Sequence, residues 1–140
     1  MCYAAYIGTT EKQTISAWKQ GETLLYFEEI SKEDEIVKTK FTKPFVYYVG
    51  ADTGCSCGFA WEVENYNDPD EQDSKKSPQA LIDFITTQTK KEALEFYCCW
   101  EGDWNDPIEE KIELDISDVS LNKYYFMEEK RFVLFKRQQV

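Results

Sequence analysis

Cysteine is the side chain that brings nucleophilic and metal-binding chemistry to this sequence, which has five cysteines and no histidine. Cys55 and Cys57 are separated by one residue inside GADTGCSCGF, residues 50–59, a stretch that also carries three glycines. Cys98 and Cys99 are adjacent, and Cys2 stands at the start of the chain. Without histidine a Cys–His nucleophilic pair is excluded, and a zinc site has to be thiolate-rich or completed by a carboxylate. Three chemistries stay open at residues 50–59. The thiols can be small core hydrophobes, with the glycines serving a turn. They can clamp a metal, zinc being the candidate, if Cys55 and Cys57 are joined by Cys98 or Cys2 from neighbouring strands. They can also be redox-active, which requires a lowered pKa. Lys40 and Lys43 are the nearest upstream cations, while Asp52 opposes a thiolate.

Three other motifs carry chemistry of their own. Asp52-Thr53-Gly54 matches the tripeptide of aspartic proteases, but that reaction needs two aspartates sharing a proton, and one copy is present. A turn in which Asp52 and Thr53 cap backbone amides is the expected reading. In CCWEGDWNDP, residues 98–107, Trp100 and Trp104 surround Glu101, Asp103 and Asp106. Two indoles beside carboxylates can grip a sugar, a base or a cation, and Gly-Asp and Asn-Asp-Pro are equally turn chemistry. Residues 67–73, NDPDEQD, have the carboxylates of a calcium loop without its central glycine, and Gln79 stands where the closing glutamate belongs. These residues read as a solvated acidic loop. The candidate ligand-binding residues are Asp52, Cys55, Cys57, Trp100, Glu101, Asp103 and Trp104, and the candidate metal ligands are Cys55, Cys57 and Cys98.

Strands must position most of these residues. Apolar and aromatic runs predict strands over residues 1–8, 23–30, 45–50, 57–64, 93–101 and 108–116. The pairing of 45–50 with 57–64 across the cysteine turn is expected to be an antiparallel hairpin. A second, closing hairpin is expected between 124–127 and 131–136. If 57–64 is extended, Cys55, Cys57, Phe59, Trp61 and Val63 share one face. In the same way Leu94, Phe96, Cys98 and Trp100 face the core, and Cys99 lies on the opposite face with Glu95 and Glu101. Ser31 followed by Asp34 predicts a capping box and a short helix over about 32–40. Ser77-Pro78 predicts the N-cap and first position of the main helix, about 78–91, with Leu81, Phe84 and Ile85 on its inner face. The order gives one α+β domain over residues 1–140, with a mostly antiparallel sheet.

The chain is long enough to bury a core, and its 42% hydrophobic and 16% aromatic content excludes a disordered chain. A net charge of −11 argues against nucleic acid and anionic membranes as partners. It fits solubility and, as one alternative, a basic protein partner. No run approaches a membrane span, and the first residues lack a signal-peptide pattern. The expectation is a cytoplasmic protein with reduced thiols.

Four stretches taken together resemble a group of small bacterial proteins without an assigned activity. They are MCYAAYIGT (1–9), KPFVYYVG (43–50), GCSCGF (54–59) and CWEGD (99–103). The Gly-Cys-x-Cys-Gly-Phe turn is the most specific of them, and the resemblance covers most of the chain. It implies a bacterial, cytosolic, single-domain protein. Many members of the group carry a histidine near the turn, where this chain has Phe45 and Asp52. The function expected from the whole reading is a non-enzymatic binding module for a small ligand or protein partner, its site lying where residues 52–59 meet residues 100–106. A thiol-redox or metal-thiolate protein using Cys55 and Cys57 is the alternative from a different class. A third is an acidic partner or inhibitor of a basic protein.

Overall fold

The computed structural model describes residues 2–139, in which six segments form strands: β1 (Tyr3–Thr9), β2 (Leu25–Glu29), β3 (Phe45–Ala51), β4 (Leu94–Trp100), β5 (Glu110–Leu114) and β6 (Arg131–Phe135). One α-helix, α1 (Lys76–Thr89), accompanies them. All six strands join a single sheet in the order β2-β3-β1-β4-β6-β5. Every pairing is antiparallel except β5–β6. The expected α+β class, with a mostly antiparallel sheet and one main helix, is therefore the one adopted.

Strand β1 lies near the middle of the sheet because it can be buried on both faces. Ala5 and Ile7 point into the larger core with Phe96, Cys98 and α1's Leu81 and Ile85. Ala4 and Tyr6 point into a second cluster with Val37, Tyr97, Cys99 and Phe132. The larger face is closed by α1 and by residues 116–127, which bring Ile116, Val119, Leu121, Tyr124 and Phe126 into the core. The other face is covered by Val37 and Phe41 and by Trp104 and Ile108. Cys99 does share a face with Glu95, as the alternation predicts, but that face is itself sealed. Cys99 is fully buried, and the carboxylate of Glu95 is satisfied by the N–H groups of Thr42 and Lys43.

Four expectations about local structure are corrected. Residues 57–64 are not a strand but two short 3₁₀ turns, Ser56–Phe59 and Val63–Asn65. β1 and β2 already occupy both edges of β3, so no hairpin partner can pair there. The closing hairpin is likewise absent. Both edges of β6 are taken by β4 and β5, and residues 124–127 instead fold over the core through Tyr124 and Phe126. The main helix starts earlier than the Ser77 signal suggests, because the 3₁₀ turn Asp73–Lys75 runs directly into it. Ser77 does not cap it; its hydroxyl donates to the Leu24 carbonyl and accepts the Asp52 N–H. At the other end, Gln138 donates to the Thr89 and Thr86 carbonyls, satisfying groups that a helix C-terminus leaves open. Finally, the short helix is a 3₁₀ segment, Glu35–Lys40, and only half of its capping box forms: the Ser31 N–H and hydroxyl both donate to Asp34.

Candidate functional site

Three thiols converge at the N-terminal end of β1. The Sγ atoms of Cys2, Cys55 and Cys57 all lie within 4.8 Å of one another, and each side chain is half-buried. Cys2 immediately precedes β1. Cys55 is extended, at φ −152° and ψ 178°, and leads into the turn Ser56–Phe59 that carries Cys57. Because the segment turns instead of extending, Cys55 and Cys57 meet across a tight bend and not along a strand face. All five cysteines are free thiols.

The bend is held from every side. After β3 the chain reverses through Ala51–Gly54, where the Gly54 N–H donates to the Ala51 carbonyl and Gly54 takes φ +81°, the left-handed region that glycine enters without strain. The Ala51 N–H then donates to the Cys55 carbonyl at 2.9 Å. Thr53 performs the amide capping foreseen for this tripeptide: its hydroxyl accepts the Gly58 N–H and lies 3.5 Å from Cys55 Sγ. Asp52 contributes through its backbone, whose carbonyl accepts the Trp18 indole N–H. Gly58 is required for contact. A Cβ there would sit 2.6 Å from Ala51 Cβ and 2.7 Å from Asp52 Oδ1.

Ser56, fully buried, fastens this bend into the sheet. Its hydroxyl accepts the Ala5 N–H at 2.9 Å and donates to the Val49 carbonyl at 2.6 Å, bridging residues that face each other in the β1–β3 ladder. Its own N–H donates to the Tyr48 hydroxyl. Beside it the Tyr3 N–H donates to Cys57 Sγ at 3.3 Å, and the Glu101 N–H donates to the Cys2 carbonyl at 2.8 Å.

The thiols are electrostatically unequal. Burial raises the Cys55 pKa, but hydrogen bonds from Thr53, from the Cys57 backbone and from the other two thiols outweigh it and bring the group below the ordinary thiol value. Cys57 is pushed up to about 11, first by burial and then by sharing hydrogen bonds with Cys55 and Cys2. Burial pushes Cys98 and Cys99 up to about 12. Of Cys55 and Cys57, Cys55 therefore gives up its proton first.

Of the residues singled out in the sequence, Cys55 and Cys57 belong to this cluster. Cys98 does not: it faces the larger core and its thiol donates to the Glu128 carbonyl at 3.1 Å. Trp100 stacks on Tyr3 with ring centroids 4.2 Å apart, which joins the 100–106 loop to the thiol end of β1. Glu101 and Trp104 line a neighbouring cavity. Asp103 donates its N–H to the Trp100 carbonyl within the loop turn, and Asp52 donates its backbone N–H to the Ser77 hydroxyl while its carboxylate lies beside Gly58, outside the thiol trio. Cys2, the third member of the trio, replaces Cys98. The signal for it was its position one residue before a central strand, which becomes informative once that strand is known to neighbour the bend.

No protein-family model, curated protein or solved structure matches this chain.

Proposed function

We propose that this protein binds a soft metal ion, zinc or copper(I), on the thiolates of Cys2, Cys55 and Cys57. The observation that carries the reading is the convergence of three free, half-buried thiols within 4.8 Å of one another on a bend fastened by backbone and hydroxyl hydrogen bonds. A tetrahedral zinc about 2.3 Å from each sulfur holds its sulfurs about 3.8 Å apart. The thiols therefore need to close by no more than about 1 Å to coordinate it. The lowered pKa of Cys55 eases its coordination, and binding releases thiol protons. Among the described residues no fourth Cys, Asp or Glu joins the group. That favours either a three-coordinate soft ion such as copper(I), or zinc with one open position for a small ligand. Three free thiols persist in a reducing compartment such as the cytoplasm, which belongs to the same proposal. So does membership of the group of small bacterial proteins that the Gly-Cys-Ser-Cys-Gly-Phe turn resembles.

The test is elemental analysis of protein purified without chelator, followed by titration of the metal-free protein with zinc or with copper(I) held in a competing chelator. One metal ion per chain, with proton release on binding, is expected. Cys2→Ser and Cys55→Ser should each abolish it, while Cys98→Ser should not. Binding that survives the first two substitutions, or no binding by a folded protein, would overturn the proposal.

A further inference from the structure

The sheet ends at β5, whose inner edge is taken by β6 and whose outer edge receives no strand among the described residues. Two hydrogen bonds fix how β5 is turned. The Glu110 N–H donates to the Lys130 carbonyl at 3.4 Å, and the Lys136 N–H donates to the Leu114 carbonyl at 2.9 Å. In the parallel register that sets Glu110 beside Arg131 and Leu114 beside Phe135, Glu110, Ile112 and Leu114 therefore aim their backbone groups at β6. The N–H and C=O groups of Lys111 and Glu113 aim the other way, out of the sheet, where an edge strand offers them to another chain.

The side chains of the strand fall into two rows. Ile112 and Leu114 lie half-buried on the face of the larger core, where they line an apolar groove of about 460 Å³ with Val119, Phe126 and the exposed Tyr125. Lys111 and Glu113 stand on the opposite face and are both exposed, the Lys111 ammonium lying 5.9 Å from the centre of the Phe132 ring. Charge along this edge is unevenly answered. Glu109 pairs with Lys130, Glu110 with Arg131 and Asp115 with Lys136. Of the charged side chains over residues 109–115, Lys111 and Glu113 alone have no ion-pair partner among the described residues.

These two charges are opposite in sign, share one face and flank Ile112 symmetrically. Two copies of such a pattern complement each other when the strands run antiparallel with Ile112 on the two-fold axis. Lys111 then stands opposite the second copy's Glu113, and Glu113 opposite the second copy's Lys111, an arrangement that opposite charges favour. The same two residues carry the outward backbone groups, so both become hydrogen-bonded pairs, each exchanging its N–H···O bonds across the edge. The central Ile112 pair is of the non-hydrogen-bonded kind, whose side chains approach most closely, and it joins the apolar grooves of the two copies. A wholly basic peptide fits less well, because it would set like charge against Lys111.

We propose that β5 is the seam of a symmetric homodimer, in which antiparallel β5–β5 pairing about Ile112 continues the sheet from one copy into the next and Lys111 and Glu113 form reciprocal ion pairs. Each chain carries a net charge of −11, so the copies repel at long range. At about 0.15 M salt that repulsion is screened beyond about 8 Å, while the facing pairs act at shorter distance. A seam made of one short strand edge and its groove is small beside a standard interface of about 1,600 Å², so the dimer forms reversibly as concentration rises. The thiol cluster takes no part in it.

The test is sedimentation equilibrium of the full chain at about 0.15 M salt, with hydrogen exchange read at single amides. The native chain should pass from monomer to dimer with concentration. The Lys111 and Glu113 amides should then slow at least about 10-fold, while the Ile112 amide, already turned to β6, changes little. Lys111→Glu and Glu113→Lys, both at exposed side chains, should each weaken the dimer at least about 10-fold, because each turns both facing pairs into like charges. Mixed in equal amounts, the two variants should restore association as a heterodimer, which a loss of folding could not do. Glu113→Pro removes an outward N–H that the fold itself does not use, and it should abolish the dimer. A native chain that stays monomeric at about 1 mM would overturn the proposal and leave Lys111 as the guard of a bare edge. So would a dimer that both charge reversals leave unchanged, or a mixture of the two variants that associates no better than either alone.

Discussion

Ser56→Ala tests whether a single buried hydroxyl joins the thiol bend to the sheet. In the native protein that oxygen takes the Ala5 N–H and returns a proton to the Val49 carbonyl, at 2.9 and 2.6 Å. Alanine keeps the Cβ, so a methyl still separates the two strands and the ladder cannot close to form the direct bond. The Ala5 N–H is left as a buried donor without a partner, which costs about 1–3 kcal/mol, and the Val49 carbonyl loses its partner as well. A total near 3 kcal/mol follows from adding the two. With a urea slope of about 2 kcal/mol per molar, the unfolding midpoint should fall by about 1.5 M. The assay is urea unfolding followed by tryptophan fluorescence and far-ultraviolet circular dichroism, with both probes required to coincide. The same substitution should make Cys55 and Cys57 easier to alkylate in the native protein, because their anchor to β1 and β3 is gone. A loss below about 0.5 kcal/mol would refute the reasoning, since it would mean that the strands close or water enters without cost.

Alkaline pH should destabilise the fold. Burial, helped by neighbouring negative groups, raises Cys57 to about 11 and Cys98 and Cys99 to about 12, while the same thiols in the unfolded chain ionise near the ordinary value of 9.0. Between those limits the unfolded chain releases protons that the folded one retains, so stability falls as pH rises from about 9. Cys55 acts in the opposite sense: its lowered pKa adds stability above the ordinary thiol value, which is lost as pH drops through the lowered one. Among the thiols three are raised against one lowered, and six tyrosines raised chiefly by burial act in the same direction near and above pH 10, so the net change is a fall, which Cys98→Ala should make shallower. A urea midpoint that does not move between about pH 8 and 10.5 would contradict this. Gly58→Ala should damage the thiol bend, because its Cβ would lie 2.6 Å from Ala51 Cβ. It is expected to lower zinc affinity at least tenfold, while Gly102→Ala, at φ +102° with open space around it, costs stability but leaves zinc titration unchanged; equal zinc affinities in the two variants would argue against the steric account.

The central strands were legible because their information is local. YAAYIGT, FVYYVGA and LEFYCCW are nearly continuous apolar and aromatic runs, broken in β4 by Glu95, which suits strands buried on both faces. The alternation in β4 correctly sends Cys98 to the larger core and Cys99 to the other face. The same reasoning fails for residues 57–64 for an identifiable reason. A period-two pattern of Cys, Phe, Trp and Val states which residues want burial, not whether a free strand edge exists to receive them. Phe59 and Trp61 are buried as the pattern requires, but from a turn, with the Trp61 indole N–H donating to the Leu121 carbonyl and the Tyr124 hydroxyl donating to that of Phe59. Residues 124–127 repeat the lesson. Their apolar spacing belongs to a cover over the core, and strand edges already filled by distant segments exclude a hairpin.

The choice between Cys2 and Cys98 follows from the same limit. Both were compatible with a thiol cluster, and their residue types are identical. What separates them is register: Ala5 pairs with Cys98, which places Cys98 mid-sheet on the core face, whereas Cys2 lies beyond the end of β1 where the Ala51–Phe59 bend returns. Ser56 is invisible for a related reason. A serine between two cysteines reads as turn chemistry, and only the Ala5–Val49 pairing, across 44 residues of chain, turns its hydroxyl into a link between strands. A sequence therefore announces which side chains could do chemistry well before it reveals which of them meet. In this chain the meeting point is decided by strand order, and strand order is set by contacts between segments far apart in the sequence.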